Sequence, residues 1–142
     1  MFADDRYIYG CQTLGLEAGD LDAVIAALKA GLPYSAFESL WKAVGIPQKK
    51  LAEVANINQR TLTRRKREMR FHVDESERIL RLGMVVERAI DLMEGDAAAA
   101  AAWLMKPSRA LGGTSPLDYA DTEPGAREVM SLIGRLEHGV FS

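Results

Sequence analysis

Residues 47–67 read PQKKLAEVANINQRTLTRRKR, a pattern typical of two short helices joined by a tight turn. Ala52 is small at a point where two such helices must approach closely. Ile57 is apolar inside the turn and can attach it to a hydrophobic core, while Asn58 is a residue type that caps helix N-termini. This combination of a small residue, a turn hydrophobe and a basic second helix predicts a helix-turn-helix.

The second helix of this unit carries side chains suited to DNA. In helix-turn-helix proteins the N-terminal residues of the second helix contact base edges in the major groove, where arginine pairs with guanine and glutamine with adenine. The residues predicted to face the groove are Gln59, Arg60, Thr61, Thr63 and Arg64. The residues predicted to contact phosphates are Lys49, Lys50, Arg65, Lys66 and Arg67. The alternative is an ordinary helical hairpin with a basic surface.

Charge is unevenly distributed along the chain, whose overall net charge is −2. Residues 48–72 contain eight Lys/Arg and two Asp/Glu, a net charge of +6. The segments before and after them carry net charges of −3 and −5. A basic block is the electrostatic footprint expected for phosphate contact, although a solvated helix face gives the same composition. The acidic flanks leave open a third interpretation, in which the helix-turn-helix is a scaffold and binds DNA weakly.

Composition restricts the function classes further. The chain has 142 residues, 48% of them hydrophobic, which is enough for a core and too apolar for general disorder. Its single cysteine, Cys11, excludes an internal disulfide, and no residue spacing predicts a metal or cofactor site. The sequence contains no phosphate loop and no nucleophile elbow, so it predicts a non-enzymatic protein. The absence of a signal peptide or a long apolar segment predicts a cytoplasmic location.

The remaining segments predict an all-α chain. Asp20, Asp96 and Thr122 are expected to cap helices, and 35–38 and 74–77 have the pattern of capping boxes. The helix after residue 74 has an apolar stripe wider than one packing face needs, which predicts a second subunit, as does the usual two-fold symmetry of helix-turn-helix proteins. The expected divisions are an N-terminal arm (1–19), a DNA-binding domain (20–72) and a C-terminal domain (73–142).

Four stretches of the sequence together resemble a known family. They are RTLTRRK at 60–66, ALGGTSPL at 110–117, TEPGAREV at 122–129 and GRLEHGV at 134–140. In combination they are similar to the Xre/MbcA/ParS antitoxins, which join an Xre-like helix-turn-helix to a C-terminal toxin-binding domain. The family has threonine directly before the proline of the second stretch, where this chain has Thr114-Ser115-Pro116. The resemblance covers about residues 20–142.

The resemblance implies a type II antitoxin that neutralises a RES-domain, NAD⁺-consuming toxin by obstructing its active site, and that represses the shared operon. It places the inhibitory surface near the final helix and tail. The candidate toxin-binding residues are Arg135, Glu137, His138, Val140 and Phe141. The alternative for these residues is that they only close the last helix. The alternative for the whole chain is a stand-alone transcriptional regulator whose C-terminal half only dimerises or senses a ligand.

Overall fold

A computed structural model of the chain describes residues 10–139. This part is all-helical, which confirms the predicted fold class. Its eight α-helices are α1 Leu21–Ala30, α2 Tyr34–Val44, α3 Gln48–Val54, α4 Gln59–Glu68, α5 Val73–Leu92, α6 Ala97–Met105, α7 Pro116–Tyr119 and α8 Glu123–Glu137. A short 3₁₀ turn at Arg109–Leu111 lies between α6 and α7.

Side-chain caps begin several of these helices where the sequence predicts them. The carboxylate of Asp20 accepts a hydrogen bond from the Ala23 amide at 2.9 Å, at the start of α1. Asp96 and Thr122 cap α6 and α8 in the same way, at 3.0 and 3.1 Å. Each cap satisfies a backbone N–H that has no partner inside its own helix.

The two predicted capping boxes are wrong. Helix α2 begins at Tyr34, directly after Pro33, and the Tyr34 amide donates to the carbonyl of Met69 at 3.0 Å. Helix α5 begins at Val73, and its first turn is closed by a hydrogen bond of 2.9 Å from the His72 amide to Glu75 Oε1. Both helices therefore begin earlier than caps at Ser35 and Asp74 would place them. The contacts at the two starts are those with Met69 and Glu75 instead.

Helix α5 lies at the centre of the fold. Its most extensive contacts are with α8 and α6, and it also packs against α1 and α2. Helices of the same chain thus cover much of the wide apolar stripe, with Ile79, Val86 and Ala89 fully buried. The width of the stripe therefore does not require a second subunit. The alanine-rich helix α6 packs closely beneath α5, with Ala100 and Leu104 inaccessible to solvent.

Residues 10–16, which belong to the predicted N-terminal arm, form a turn that packs on α5. Leu14 is 1% exposed and lies against Gly83, where the missing side chain makes room for it. The amide and hydroxyl of Thr13 both donate to Glu87 Oε1, at 3.1 and 2.8 Å. Cys11 is buried in this turn. Residues 1–9 of the proposed arm lie outside the described residues, and the predicted division into 1–19, 20–72 and 73–142 stays a prediction.

Candidate nucleic-acid interface and C-terminal surface

Helices α3 and α4 form the expected helix-turn-helix. The turn between them passes through Asn56, whose φ of 58° lies in the left-handed region. Ile57 is 3% exposed and holds the turn to the core, while Ala52 and Leu62 are buried. The side chain of Asn58 accepts a hydrogen bond from the Thr61 amide at 2.8 Å and caps α4.

A side chain from α5 also holds the turn. Arg78 Nε donates to the carbonyl of Ala55 at 2.7 Å. This bond satisfies a carbonyl at the end of α3, and it ties the spacing of the two helices to the central helix of the fold. Sequence reasoning missed Arg78, because its partner is 23 positions earlier in the chain.

The predicted DNA-contacting side chains lie mainly on the surface. Those that are exposed are Lys49, Gln59, Arg60, Thr63, Arg64, Lys66 and Arg67. Thr61 is half-buried beside the N-terminal cap, and the hydroxyl of Thr63 donates to the carbonyl of Gln59 at 2.9 Å. The structure thus brings most of the predicted contacts onto one short helix and the start of the helix before it. Their role in DNA binding stays a prediction.

Arg65 is an exception, and its assignment as a phosphate contact is wrong. It is 5% exposed, and its guanidinium donates to both carboxylate oxygens of Glu75, from Nε at 2.7 Å and from Nη2 at 2.9 Å. Glu68 receives a further bond at 3.1 Å, and His72 Nδ1 lies 3.2 Å from Nη2. Arg65 therefore points into the protein, where it joins α4 to α5, and a DNA phosphate could not reach it.

The electrostatics of this pair are those of a buried ion pair. Burial acts to raise the pKa of the Glu75 carboxyl, but the hydrogen bonds from Arg65 and from the His72 amide outweigh burial and lower it. The hydrogen bonds from Arg65 to Glu75 raise the pKa of the guanidinium. Both groups are thus held in their charged forms where α4 meets α5.

Lys50 is half-buried and takes part in an ion pair with the C-terminal half of the chain. Its Nζ lies 2.6 Å from Asp118 Oδ1 and 3.4 Å from Glu53 Oε1. The hydrogen bond from Lys50 lowers the pKa of Asp118, and the same bond raises the pKa of Lys50. Asp118 was not predicted from the sequence, because its partner is 68 positions away.

The candidate toxin-binding residues at the C-terminus are only partly described. Arg135 is half-buried, with bonds to Ser131 and Glu128, and Glu137 accepts a 2.7 Å bond from Arg88 Nη2. His138 Nδ1 lies 2.7 Å from the carbonyl of Gly134. These contacts are those of residues that close α8, so the two interpretations of this turn stay open. Val140 and Phe141 lie outside the described residues.

Two of the C-terminal stretches that carry the family resemblance also line an open cavity of about 640 Å³. Stretch 110–117 contributes Thr114 to its wall, and stretch 122–129 contributes Gly125 and Glu128. Asp118 and Tyr119, on the short helix α7, also line it. Sequence analysis identified the two motifs but not the cavity, because its lining comes from several separate segments of the chain.

Comparison with known proteins gives the family. Residues 23–83 match the antitoxin Xre-like helix-turn-helix domain, and residues 88–139 match the antitoxin Xre/MbcA/ParS C-terminal toxin-binding domain. The antitoxin Xre of Yersinia enterocolitica is 40% identical over 130 residues, which cover 91% of this chain and 88% of that protein. The chain belongs to the Xre antitoxin family. It is an antitoxin of a toxin–antitoxin system.

Two further relatives extend the comparison. The antitoxin Xre of Photorhabdus laumondii is 37% identical over 134 residues, covering 92% of this chain and 89% of its own length. The Prs ADP-ribosylating antitoxin of a Sphingobium strain is 25% identical over 127 residues, covering 83% and 80%. Neither family model that matches this Xre antitoxin describes a catalytic domain. None of the helices within residues 10–139 has the length and hydropathy of a membrane-spanning segment.

Proposed function

We propose that this antitoxin neutralises a RES-domain toxin that consumes NAD⁺, by blocking its active site, and that it represses its own operon in the cytoplasm. The observation that carries the first part is the match of residues 88–139 to a toxin-binding domain, together with the open cavity that residues of the same segment line. The Sphingobium relative is named for ADP-ribosylation, a reaction whose donor is NAD⁺. That name supports an NAD⁺-consuming toxin as the partner.

The proposed inhibitory element is the end of α8 with the residues after it. Arg135 and Glu137 lie in the last turn of α8, His138 is its C-cap, and Val140 and Phe141 follow in the sequence. Phe141 is among the residues that follow α8, and an aromatic side chain that enters a cleft buries a large apolar area. In this proposal the tail residues close the toxin's active-site entrance, while the cavity beside α7 contributes to the docking surface.

Repression of the operon is proposed to depend on the exposed side chains of α4. Gln59, Arg60 and Arg64 lie in its first two turns, and their exposure supports base contacts in the major groove. Lys49, Lys66 and Arg67 are also exposed, which supports phosphate contacts on either side. The net charge of the whole chain is −2, so the overall charge does not favour DNA binding. Binding therefore depends on the local concentration of positive side chains on the surface that faces DNA.

We also propose a homodimer, because helix-turn-helix proteins read paired half-sites with two-fold symmetry. An open groove of about 620 Å³ between α1, α5 and α8 supports a second copy at this place. Leu28, Met84 and Met130 form part of its apolar lining, and Arg81 and Glu123 lie along it, 3.7 Å apart. Light scattering should give a dimer at micromolar concentration, and Met84→Glu should shift it towards the monomer. A wild-type monomer would contradict this part.

The experiment that tests the toxin partner is co-expression with the enzyme encoded beside this gene, followed by co-purification and an NAD⁺ assay. A stable complex in which NAD⁺ consumption is suppressed is the expected result. If no complex forms and NAD⁺ consumption continues, the proposed toxin partner is refuted. A stand-alone regulator that binds DNA through the exposed basic face of α4 would then be favoured.

The contribution of the tail is tested by removing residues 139–142. This truncation should weaken neutralisation and leave the melting temperature unchanged, because no described core residue is removed. Lys106→Ala is a control in the same C-terminal part of the chain, since Lys106 is exposed and lines neither the cavity beside α7 nor the groove between α1, α5 and α8. Full inhibition by the truncated chain would exclude the tail as the inhibitory element.

A further inference from the structure

The ion pair between Lys50 and Asp118 joins the two functional parts of the chain. Lys50 lies within the helix-turn-helix match at 23–83, and Asp118 lies within the toxin-binding match at 88–139. The two charged atoms are 2.6 Å apart, and the side chains are 25% and 49% exposed. The pair is therefore at the surface, where a competing ion can approach it.

Lys50 occupies a position from which helix-turn-helix proteins contact the phosphates of DNA. The first helix of a helix-turn-helix crosses the DNA backbone while the second enters the groove. Lys50 lies in the first turn of that helix, α3, next to the exposed Lys49. Lys49 keeps its charge available to a phosphate, whereas the charge of Lys50 is neutralised by a carboxylate in direct contact.

Asp118 is held in place from its own side of the contact. Its amide donates to the hydroxyl of Ser115 at 3.2 Å, in the first turn of α7. Leu117, beside it, is fully buried in the core, and α7 packs against α6 and α8. The backbone of Asp118 is therefore held by the C-terminal part of the fold, and Lys50 extends to meet its half-exposed carboxylate.

We propose that Asp118 restrains DNA binding in the free chain by holding Lys50 away from the phosphate backbone, so that the toxin-binding part regulates DNA affinity through this contact. The proposal rests on the DNA-binding role proposed above. It also gives the cavity beside α7 a regulatory role in addition to toxin docking, because Asp118 lines that cavity. A partner group that draws Asp118 into the cavity would release Lys50 to DNA.

The test is the salt dependence of DNA binding by the full chain. The probes are a random-sequence duplex of about 30 base pairs and the DNA immediately upstream of the gene. Each phosphate contact changes the slope of log affinity against log salt by about 0.9. Asp118→Asn should steepen the slope by about 0.9, which amounts to roughly threefold more loss of affinity between about 50 and 200 mM salt.

Two further variants make the result specific. Lys50→Gln alone should leave the slope unchanged, and Lys50→Gln combined with Asp118→Asn should return the slope to the wild-type value. Asp121→Asn is the matched control, because Asp121 lines the same cavity and takes part in none of the ion pairs within residues 10–139. It adds the same charge as Asp118→Asn and should leave the slope unchanged.

Several outcomes would overturn the proposal. Equal slopes for the wild type and Asp118→Asn would do so, as would a steeper slope in both asparagine variants, which would show an effect of overall charge alone. A slope reduced by Lys50→Gln alone would show that Lys50 already contacts phosphate. No DNA binding by the wild type would refute the DNA-binding function itself, and this inference with it. Thermal melts of each variant identify any that has lost its fold.

Discussion

Replacing Glu75 with glutamine should destabilise the protein far more than the loss of one surface charge. The variant Glu75→Gln removes the negative charge that accompanies the buried Arg65 and places an NH₂ group where one carboxylate oxygen was. Both side chains are nearly inaccessible, at 7% and 5% exposure. The remaining amide oxygen can still accept the hydrogen bond from the His72 amide, so the start of α5 is preserved.

The size of the effect follows from the burial of Arg65. Removing one partner of a buried ion pair costs about 3–5 kcal/mol, because it leaves an uncompensated charge in the interior. We expect a value near the lower end, about 3 kcal/mol, since Glu68 still contacts the guanidinium at 3.1 Å. For a chain of this length such a loss lowers the melting temperature by about 6–12 °C.

The matched control is Glu68→Gln, which changes the same type of residue on the same arginine. Glu68 has a side chain that is 48% exposed, so its ion pair is screened by water and contributes at most about 1 kcal/mol. Urea unfolding followed by circular dichroism at neutral pH compares the two variants. Equal destabilisation by both would refute the reasoning from burial.

The pH dependence provides a second check on the same pair. The pKa of Glu75 is lower in the folded chain than in the unfolded chain, so the stabilisation is present above the ordinary carboxyl pKa of about 4.3. It is lost as the pH falls through the lower, folded value. The difference in unfolding free energy between the wild type and Glu75→Gln should therefore shrink on acidification, and a constant difference would contradict the assignment.

Three other predictions follow from the described contacts. Arg60→Ala should weaken binding to the upstream DNA by about 1–3 kcal/mol and binding to a random duplex by less, as measured by gel shift; equal losses would exclude a base contact. Leu14→Ala should cost about 2–5 kcal/mol in urea unfolding, since Leu14 is 1% exposed, and a loss below about 1 kcal/mol would mean that residues 10–16 do not pack on α5. Gly125→Ala should cost more than about 2 kcal/mol, because the added methyl would overlap the carbonyl of Tyr119, and a variant that melts at the wild-type temperature would contradict that packing.

The parts of the fold that could be predicted from the sequence depend on short-range contacts. Asp20, Asn58 and Thr122 each accept a bond from an amide three positions later, so the residue type and the following apolar pattern were enough to locate these helix starts. The helix-turn-helix was predictable for the same reason, because its turn and both helices lie within 21 consecutive residues.

The errors arise where distant parts of the chain meet. The start of α2 depends on the carbonyl of Met69, and the environment of Lys50 depends on Asp118, neither of which a local pattern reveals. Arg65 differs, because its burial could have been predicted. Leu62 faces inward, and a residue three positions later lies on the same face of a helix. The basic composition of the segment obscured this periodicity.

The central helix α5 belongs to both halves of the antitoxin. The helix-turn-helix match ends at residue 83 and the toxin-binding match begins at residue 88, both inside Val73–Leu92. A fragment ending between them would lose α6 and α8 and expose the apolar face of α5 that these helices cover. The two halves are therefore expected to melt in a single cooperative transition, and exchanging them between relatives would require a junction within one continuous helix.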